Sequence, residues 1–385
     1  MKFLHTADWH VGKVLRGADR RKEQAAVLRE IAQIAVSEQV DAVLVAGDIY
    51  ENSAPTPDAQ RLVVQTLVAL AGRGIEVLLI AGNHDNGSTL EAYRPLMDVA
   101  GIHVFGRPRS VADGGVHTFH ARSTGERVNV AALPFLSQRY AVRAYEIVNN
   151  TPAQNVGEYD QLLRDVIANL ATGFTDDAVN VFMAHLTCTG GLVGGGERAA
   201  QTIFEYHVPA TVFPVDTHYV ALGHLHRRQK IEAACPVHYS GAPFRVDFGE
   251  QDYTPVVCLV AAAPGTPASV RDIPITSGRA LVTAKGTAAE LIARAEEFGD
   301  AYLRLVITQP AYADLRDELH EALPNTLEIR IHPDHATTGA RAGLATSVST
   351  RTPLELFQEY CGVAGVSDER VVSLFASIHD ELTSR

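Results

Sequence analysis

Cysteine, lysine and long apolar runs are all scarce in this 385-residue chain. The four cysteines, Cys188, Cys235, Cys258 and Cys361, fall at no C-x-x-C spacing, which indicates neither a disulfide framework nor a zinc ribbon. A reducing, cytoplasmic setting fits that usage. No apolar run is long enough to span a bilayer. The opening MKFLHTADWH lacks a basic start and an apolar h-region, so no secretory leader is expected. Positive charge is also in deficit: the formal net charge is −12, and only five of the 33 basic residues are Lys. That balance counts against a module that coats nucleic acid by bulk charge. It leaves room for an enzyme that holds metal ions in an acidic pocket and meets a polyanion through local basic patches.

What is present is an alternation of buried-looking strands and amphipathic helices. KFLHT (2–6) reads as a strand. Val27, Leu28, Ile31, Ile34 and Ala35 recur at helical spacing. DAVLVAGD is a strand, TPDAQRLVVQTLVALAGRG a helix stopped near Gly72 and Gly74, and IEVLLIAGNHD the next strand. This rhythm predicts an α/β layered fold. Further strands are expected near 102–105 and 128–133, in DAVNVFMAHLT, and in THYVALGHLHRRQKI, with helices near 90–99 and 157–171. APGTPAS (263–269) marks a boundary, giving a first domain over 1–264. A small α+β unit is expected over 265–335, a linker over 336–351 and a helical pair over 352–385. The last helix carries Val371, Leu374, Phe375, Ile378 and Leu382 on one stripe and needs something to pack against.

Five polar clusters follow apolar strands: Asp8 and His10 in DWH; Asp48 in GD; Asn83, His84 and Asp85 in GNHD; His185 in MAH; and His224 and His226 in GHLH. Strand ends of one polarity lie along one edge of a sheet, where ligands bind in open α/β folds. Carboxylate, imidazole and amide oxygen without thiolate suit two divalent ions such as Mn²⁺, Fe²⁺ or Zn²⁺. In D-x-H and H-x-H, residues two apart on a strand point to one side, so each pair can face one metal pocket. Asp48, with two oxygens and a central place in the set, is the natural bridge. The remaining histidines, His103 and His117 among them, read as ordinary structural residues.

The ordered set D-x-H, G-D, G-N-H-D, H, G-H-x-H resembles that of the calcineurin-like metallophosphoesterases. TADWHVGK, VDAVLVAGDIYE, YVALGHLHRRQ and HYSGAPF extend the likeness to the nuclease subunits of DNA break-processing complexes, over nearly the whole chain. The resemblance implies a metallophosphoesterase β-sandwich flanked by helices, with a small α+β capping domain and a C-terminal helical pair. It implies one metal held by Asp8, His10, Asp48 and His226, and a second held by Asp48, Asn83, His185 and His224. His84 is then the acid beside the scissile phosphate, and Asp85 supports its orientation. The implied activity is Mn²⁺-dependent, exonucleolytic on duplex ends and endonucleolytic on single strands or hairpins. Glu51 departs from the pattern. Archaeal relatives carry a phosphate-handling His there, and a carboxylate repels phosphate.

Two basic clusters directly follow metal motifs: Arg16, Arg20, Arg21 and Lys22, and Arg227, Arg228 and Lys230. They are candidate DNA-backbone contacts. The resemblance also implies a homodimer through the helices near 57–71 and 90–99. It implies docking of the C-terminal helices on a coiled-coil ATPase partner, and a cytoplasmic, nucleoid-associated setting. The core motifs alone equally suit a phosphodiesterase or phosphatase for small molecules or proteins. A third reading is a structural protein that bridges DNA ends without cutting.

Overall fold

The computed structural model describes residues 1–136, 155–197 and 207–335, together with Phe357, Tyr360, Cys361, Val371, Leu374 and Phe375. β1 (Lys2–Thr6) is followed by a short hairpin, β2 (Val14–Leu15) and β3 (Ala18–Asp19), and then α1 (Arg21–Ser37). β4 (Ala42–Ala46), α2 (Pro57–Ala71), β5 (Glu76–Ile80), α3 (Gly87–Val99) and β6 (Ile102–Phe105) complete the expected alternation. α2 begins where the Thr56 hydroxyl accepts the Ala59 N–H. Pro57 fills the first helical position, where its missing N–H has no partner to lose.

The second half runs β7 (Val116–His120), β8 (Arg127–Leu133), α4 (Asn155–Ala171), β9 (Val179–His185), β10 (Thr187–Cys188), β11 (His207–Val208), β12 (Tyr219–Gly223), β13 (Gln229–Ile231) and β14 (Val237–Tyr239). β15 (Val256–Ala263) then returns antiparallel to β1, and β16 (Thr266–Pro274) lies antiparallel to β15. Two six-stranded sheets result, in the orders β16-β15-β1-β4-β5-β6 and β13-β14-β12-β9-β8-β7.

The sheets pack face to face. In β4 the period of two sends Ala42, Leu44 and Ala46 into the inter-sheet core with Leu78, Ile80, Val181 and Ala221. Val43 and Val45 face the other way, toward α1 and α2. Both faces of the strand are apolar because both are covered, as in parallel sheets generally. On the outer face of the second sheet, α4 buries Leu163, Ile167 and Leu170. No helix among the described residues is long and apolar enough to cross a membrane.

The boundary expected within 263–269 is instead a hairpin turn inside the first sheet, because β16 pairs with β15 from Thr266 onward. The first domain therefore extends past residue 264, and the separate unit starts with β17 (Leu281–Gly286) rather than at 265. α5 (Ala288–Ala293), α6 (Ala295–Phe298), β18 (Tyr302–Ile307), α7 (Leu315–Ala322) and β19 (Thr326–Ile331) follow, with the three strands parallel. This unit has its own core around Leu291, Leu305 and Leu319. It is fastened to the main body where the Gln251 side-chain oxygen accepts the Thr283 N–H and where Leu281 and Tyr302 pack with Leu15 and Phe248.

The expected linker 336–351 lies outside the described residues. In the tail, the six described residues are all helical, and the rings of Phe357 and Phe375 stack at 4.0 Å.

Candidate metal centre

The C-terminal ends of β1, β4 and β5 in one sheet and of β9 and β12 in the other meet at one edge of the sandwich, and every clustered motif lies there. The loops after β1 and β4 continue side by side. Asp8 N–H donates to the Gly47 carbonyl, His10 N–H to the Asp48 carbonyl, and Val11 N–H to the Ile49 carbonyl.

The expectation that D-x-H and H-x-H converge through strand geometry does not hold. Both motifs lie beyond their strands. Convergence comes from left-handed backbone: Asp8, His10, Asp48 and His224 have φ of 54°, 41°, 48° and 100°. Sparsely populated conformations cost non-glycine residues about 1–3 kcal/mol each and persist only where the surroundings over-determine them. Glycine makes the close approach possible: a Cβ on Gly223 would stand 1.9 Å from the Ala46 carbonyl oxygen.

The expected ligands are brought together in two groups. Asp8, His10 and His226 form one, and Asp48, His185 and His224 the other. His10 Nε2 and His226 Nε2 face each other at 3.0 Å. His185 Nε2 and His224 Nδ1 both lie 2.9 Å from Asn83 Oδ1, which adds Asn83 to the second group. Asp48 Oδ2 stands between the groups, 3.7 Å from His10 Nε2 and 3.5 Å from His185 Nε2. H-x-H thus sends its two rings to different groups. Asp8 Oδ2 is buried and has no hydrogen-bond partner. An orphaned carboxylate oxygen beside converging ring nitrogens fits a pair of divalent ions.

Three rings are oriented from behind. The second nitrogen of His10 faces the Glu51 carboxylate at 3.0 Å, that of His226 faces Glu250 at 2.7 Å, and that of His185 faces the Ala46 carbonyl at 2.8 Å. Such partners set the tautomer that leaves the other nitrogen free for a metal.

The protonation pattern is that of a site built for cations. Burial works to raise Asp48, but His185, His10 and His84 outweigh it and hold the carboxyl well below its usual range. Burial pushes Asp8 up to about 7, with His185 and His226 pulling the other way. Burial is the largest cause that lowers His10 to about 4 and His224 to about 3. It acts on His226 and His185 too, but Glu250 lifts the first to about 10 and Asp48 the second to about 9.

His84 approaches from a third side, close enough to His10 and Asp48 to form an overlapping group with them. Its N–H donates to Asp48 Oδ1 at 2.8 Å, and its ring Nδ1 lies 2.6 Å from the Glu51 carbonyl oxygen. A carbonyl only accepts, so Nδ1 carries a proton and Nε2, 4.0 Å from Asp48 Oδ2, is the exchangeable position. The ring support expected from Asp85 is supplied by this carbonyl. The Asp85 carboxylate accepts the N–H groups of Gly82, Ile49 and Tyr50 and ties the G-D loop to the G-N-H-D loop.

Three carboxylates that sequence reasoning does not place in the site matter here. Glu51 reads in the sequence only as a repulsive departure. Its charge is matched by Lys13 Nζ at 2.9 Å and it orients His10. Glu250 orients His226, and Glu197 accepts the His226 and Gly194 N–H groups, fixing the glycine-rich loop beside the site. No spacing rule links Glu250 to GHLH; only the sheet end brings them together.

The basic clusters divide. Arg20 is buried, paired with Glu23 through both Nε and Nη2 and stacked on Phe244, so it is not free to meet DNA. Arg228 is held by Asp272 and the Tyr239 carbonyl. Arg16 pairs with Glu328, and Arg21 with Asp19 and Asp58. Lys22 and Lys230 are exposed, and Arg227 lies over the Tyr253 ring next to His226.

Comparison with known proteins agrees with this geometry. Residues 1–228 match the model of the calcineurin-like phosphoesterases. Residues 277–362 match a model described as the type 5 capsule protein repressor C-terminal domain. The SbcD component of the SbcCD nuclease from Bacillus subtilis (strain 168) is 34% identical, covering 98% of this chain and 97% of its own. The component of the same name from Rhodobacter capsulatus is 38% identical over 71% of this chain and 69% of its own. That of Escherichia coli (strain K12) is 27% identical over 86% and 84%.

Proposed function

Because the chain belongs to the calcineurin-like phosphoesterases and, within them, to the SbcD family of SbcCD nucleases, we propose that it is a two-metal DNA nuclease. It cuts duplex ends exonucleolytically and single strands or hairpins endonucleolytically, in end processing, recombination and repair. The observation that carries the reading is the pair of ligand groups with Asp48 Oδ2 between them and the exchangeable nitrogen of His84 beside them.

Asp8, His10, Asp48 and His226 would hold one ion, and Asp48, Asn83, His185 and His224 the other. The mixed oxygen and imidazole donors suit Mn²⁺, Fe²⁺ or Zn²⁺, and the family resemblance selects Mn²⁺ among them. The ions supply charge to polarise a phosphodiester and to acidify water. His84, in its cationic form, gives the Nε2 proton to the leaving oxygen, while the Glu51 carbonyl keeps the ring aimed. Asp85 holds the two loops in register, so Asp48 and His84 keep their separation. Lys22, Arg227 and Lys230 offer the DNA backbone local positive charge.

One assay tests the proposal. The full chain is incubated with Mn²⁺ or with EDTA on end-labelled duplex, hairpin DNA and bis-p-nitrophenyl phosphate. The expected result is Mn²⁺-dependent cleavage of all three. Cleavage of the small ester alone would assign a small-molecule phosphodiesterase, and binding of DNA ends without any cleavage would assign a bridging protein.

The same reading carries two partners. No residue of α3 is buried, and Leu96 and Val99 are 73% and 89% exposed. With Val63, Val64, Leu67, Leu90, Tyr93 and Met97 lining a 140 Å³ cavity between α2 and α3, this apolar surface is assigned to a homodimer. The C-terminal helices, with Tyr360 and Leu374 exposed, are assigned to an SbcC-type ATPase. Light scattering of the full chain and of a chain lacking 352–385 should give a dimer mass for both. Only the full chain should co-elute with the ATPase. A monomer at micromolar concentration sinks the first assignment, and co-elution of the truncated chain sinks the second.

A further inference from the structure

At the opposite end of β5 from Asn83, three side chains converge where the free edges of the two sheets face each other. Glu76 opens β5, His103 lies on the edge strand β6, and His117 lies on the edge strand β7 of the second sheet. His103 Nε2 and His117 Nε2 stand 2.8 Å and 2.7 Å from the same oxygen, Glu76 Oε1. The two rings stack at 3.8 Å with 29° between their planes. All three side chains are 20–28% exposed, so solvent reaches the point where they meet. From behind, Asp98 Oδ1, near the end of α3, lies 3.6 Å from the second nitrogen of His103.

We propose that Glu76, His103 and His117 form a separate, non-catalytic site for one borderline divalent ion of the zinc or nickel class. The donor set argues for it. Two imidazoles and one carboxylate, with an open position to water, suit zinc, and imidazole also suits nickel. Zinc sites place N and O donors about 2.0–2.2 Å from the ion, hence roughly 3.3 Å apart at a tetrahedral angle. Each nitrogen–oxygen pair here needs to open by about 0.5 Å and the two stacked rings must spread by about 1 Å, which partly exposed side chains can do by torsional changes. Burial pushes the Glu76 carboxyl up, but its bonds to His103 and His117 prevail and bring it to about 2, so the ligand is already ionised at neutral pH. Asp98, 3.6 Å from the second nitrogen of His103, stands on the side where a carboxylate behind a metal-bound imidazole would be placed.

Placement says what the ion does. β6 and β7 close the same side of the sandwich, and among the described residues β7 is joined to its sheet only through β8. An ion held from both edges staples the sheets together.

The test compares the full chain with His103→Asn/His117→Asn, which leaves the catalytic centre intact. Both are equilibrated with micromolar free Zn²⁺, and bound zinc is counted by mass spectrometry of the metal. The parent is expected to bind one more ion per chain than the variant. Zinc should raise its melting temperature by roughly 5 °C more than the variant's at saturation. Mn²⁺-dependent cleavage of bis-p-nitrophenyl phosphate should match in the two chains. Equal zinc counts in two folded chains would reduce the cluster to an ion-paired edge and overturn the proposal. Zinc-soaked crystals of the parent give an answer without any variant. An anomalous peak bonded to both Nε2 atoms supports the site, and none at that position at saturating zinc refutes it.

Discussion

Asp48→Asn is expected to lower nuclease turnover by at least about a thousandfold while leaving the fold intact. Metal contributions of several kcal/mol to the transition state correspond to roughly three orders of magnitude in rate. Asp48 Oδ2 stands between the two ligand groups, 3.7 Å from His10 Nε2 and 3.5 Å from His185 Nε2. Asn keeps the shape, still accepts the His84 N–H through its amide oxygen, and tolerates the left-handed φ of 48° that Asp48 adopts. What it removes is the charge that bridges. Metal content by mass spectrometry should fall from two ions toward one or none at micromolar Mn²⁺, with an unchanged circular dichroism spectrum. A variant that keeps both ions and cuts within tenfold of the parent would show that Asp48 does not bridge.

His84→Ala should behave in the opposite way. It is expected to keep both ions and lose turnover by about 10²–10⁴-fold, the usual contribution of a positioned general acid. The ring nears His10 and Asp48, but its Nδ1 is committed to the Glu51 carbonyl and its Nε2 stands 4.0 Å from Asp48 Oδ2. Apparent affinity for duplex DNA should change little. The readout is single-turnover cleavage, beside metal content. Loss of an ion in His84→Ala would make His84 a ligand and reassign the row Asn83-His84-Asp85.

The difference between a bridging carboxylate and a neighbouring acid is only partly legible in the sequence. The alternation of apolar strands with polar ends locates the ligands, because a buried parallel strand is apolar throughout and its end is where polar groups reappear. β7 escapes the same reading. VHTFH is an edge strand with no fully buried residue, so it carries no apolar run. The 263–269 stretch has the composition of a linker, yet its Pro-Gly pair serves a hairpin. Turn chemistry is the same in both places, and only the pairing of β15 with β16 tells them apart. Arg20 follows a metal motif like its neighbours, but the start of α1 points it at Glu23 and Phe244 rather than outward.

By itself, the order of residues determined the α/β class and which polar side chains follow the ends of the apolar strands. Those properties depend on local periodicity and on residue chemistry placed at strand ends. Tertiary structure decided what lies behind those side chains. Glu250 meets His226 from 24 residues away and Glu51 meets His10 from 41, through loops whose left-handed turns have no signature in residue type. It also decided that His103 and His117, ordinary histidines in the sequence, share one carboxylate oxygen with Glu76. The two histidines sit on edge strands of different sheets. Face-to-face packing of sheets is set by the summed burial of two cores, not by any local pattern, so only the closed sandwich brings those edges together.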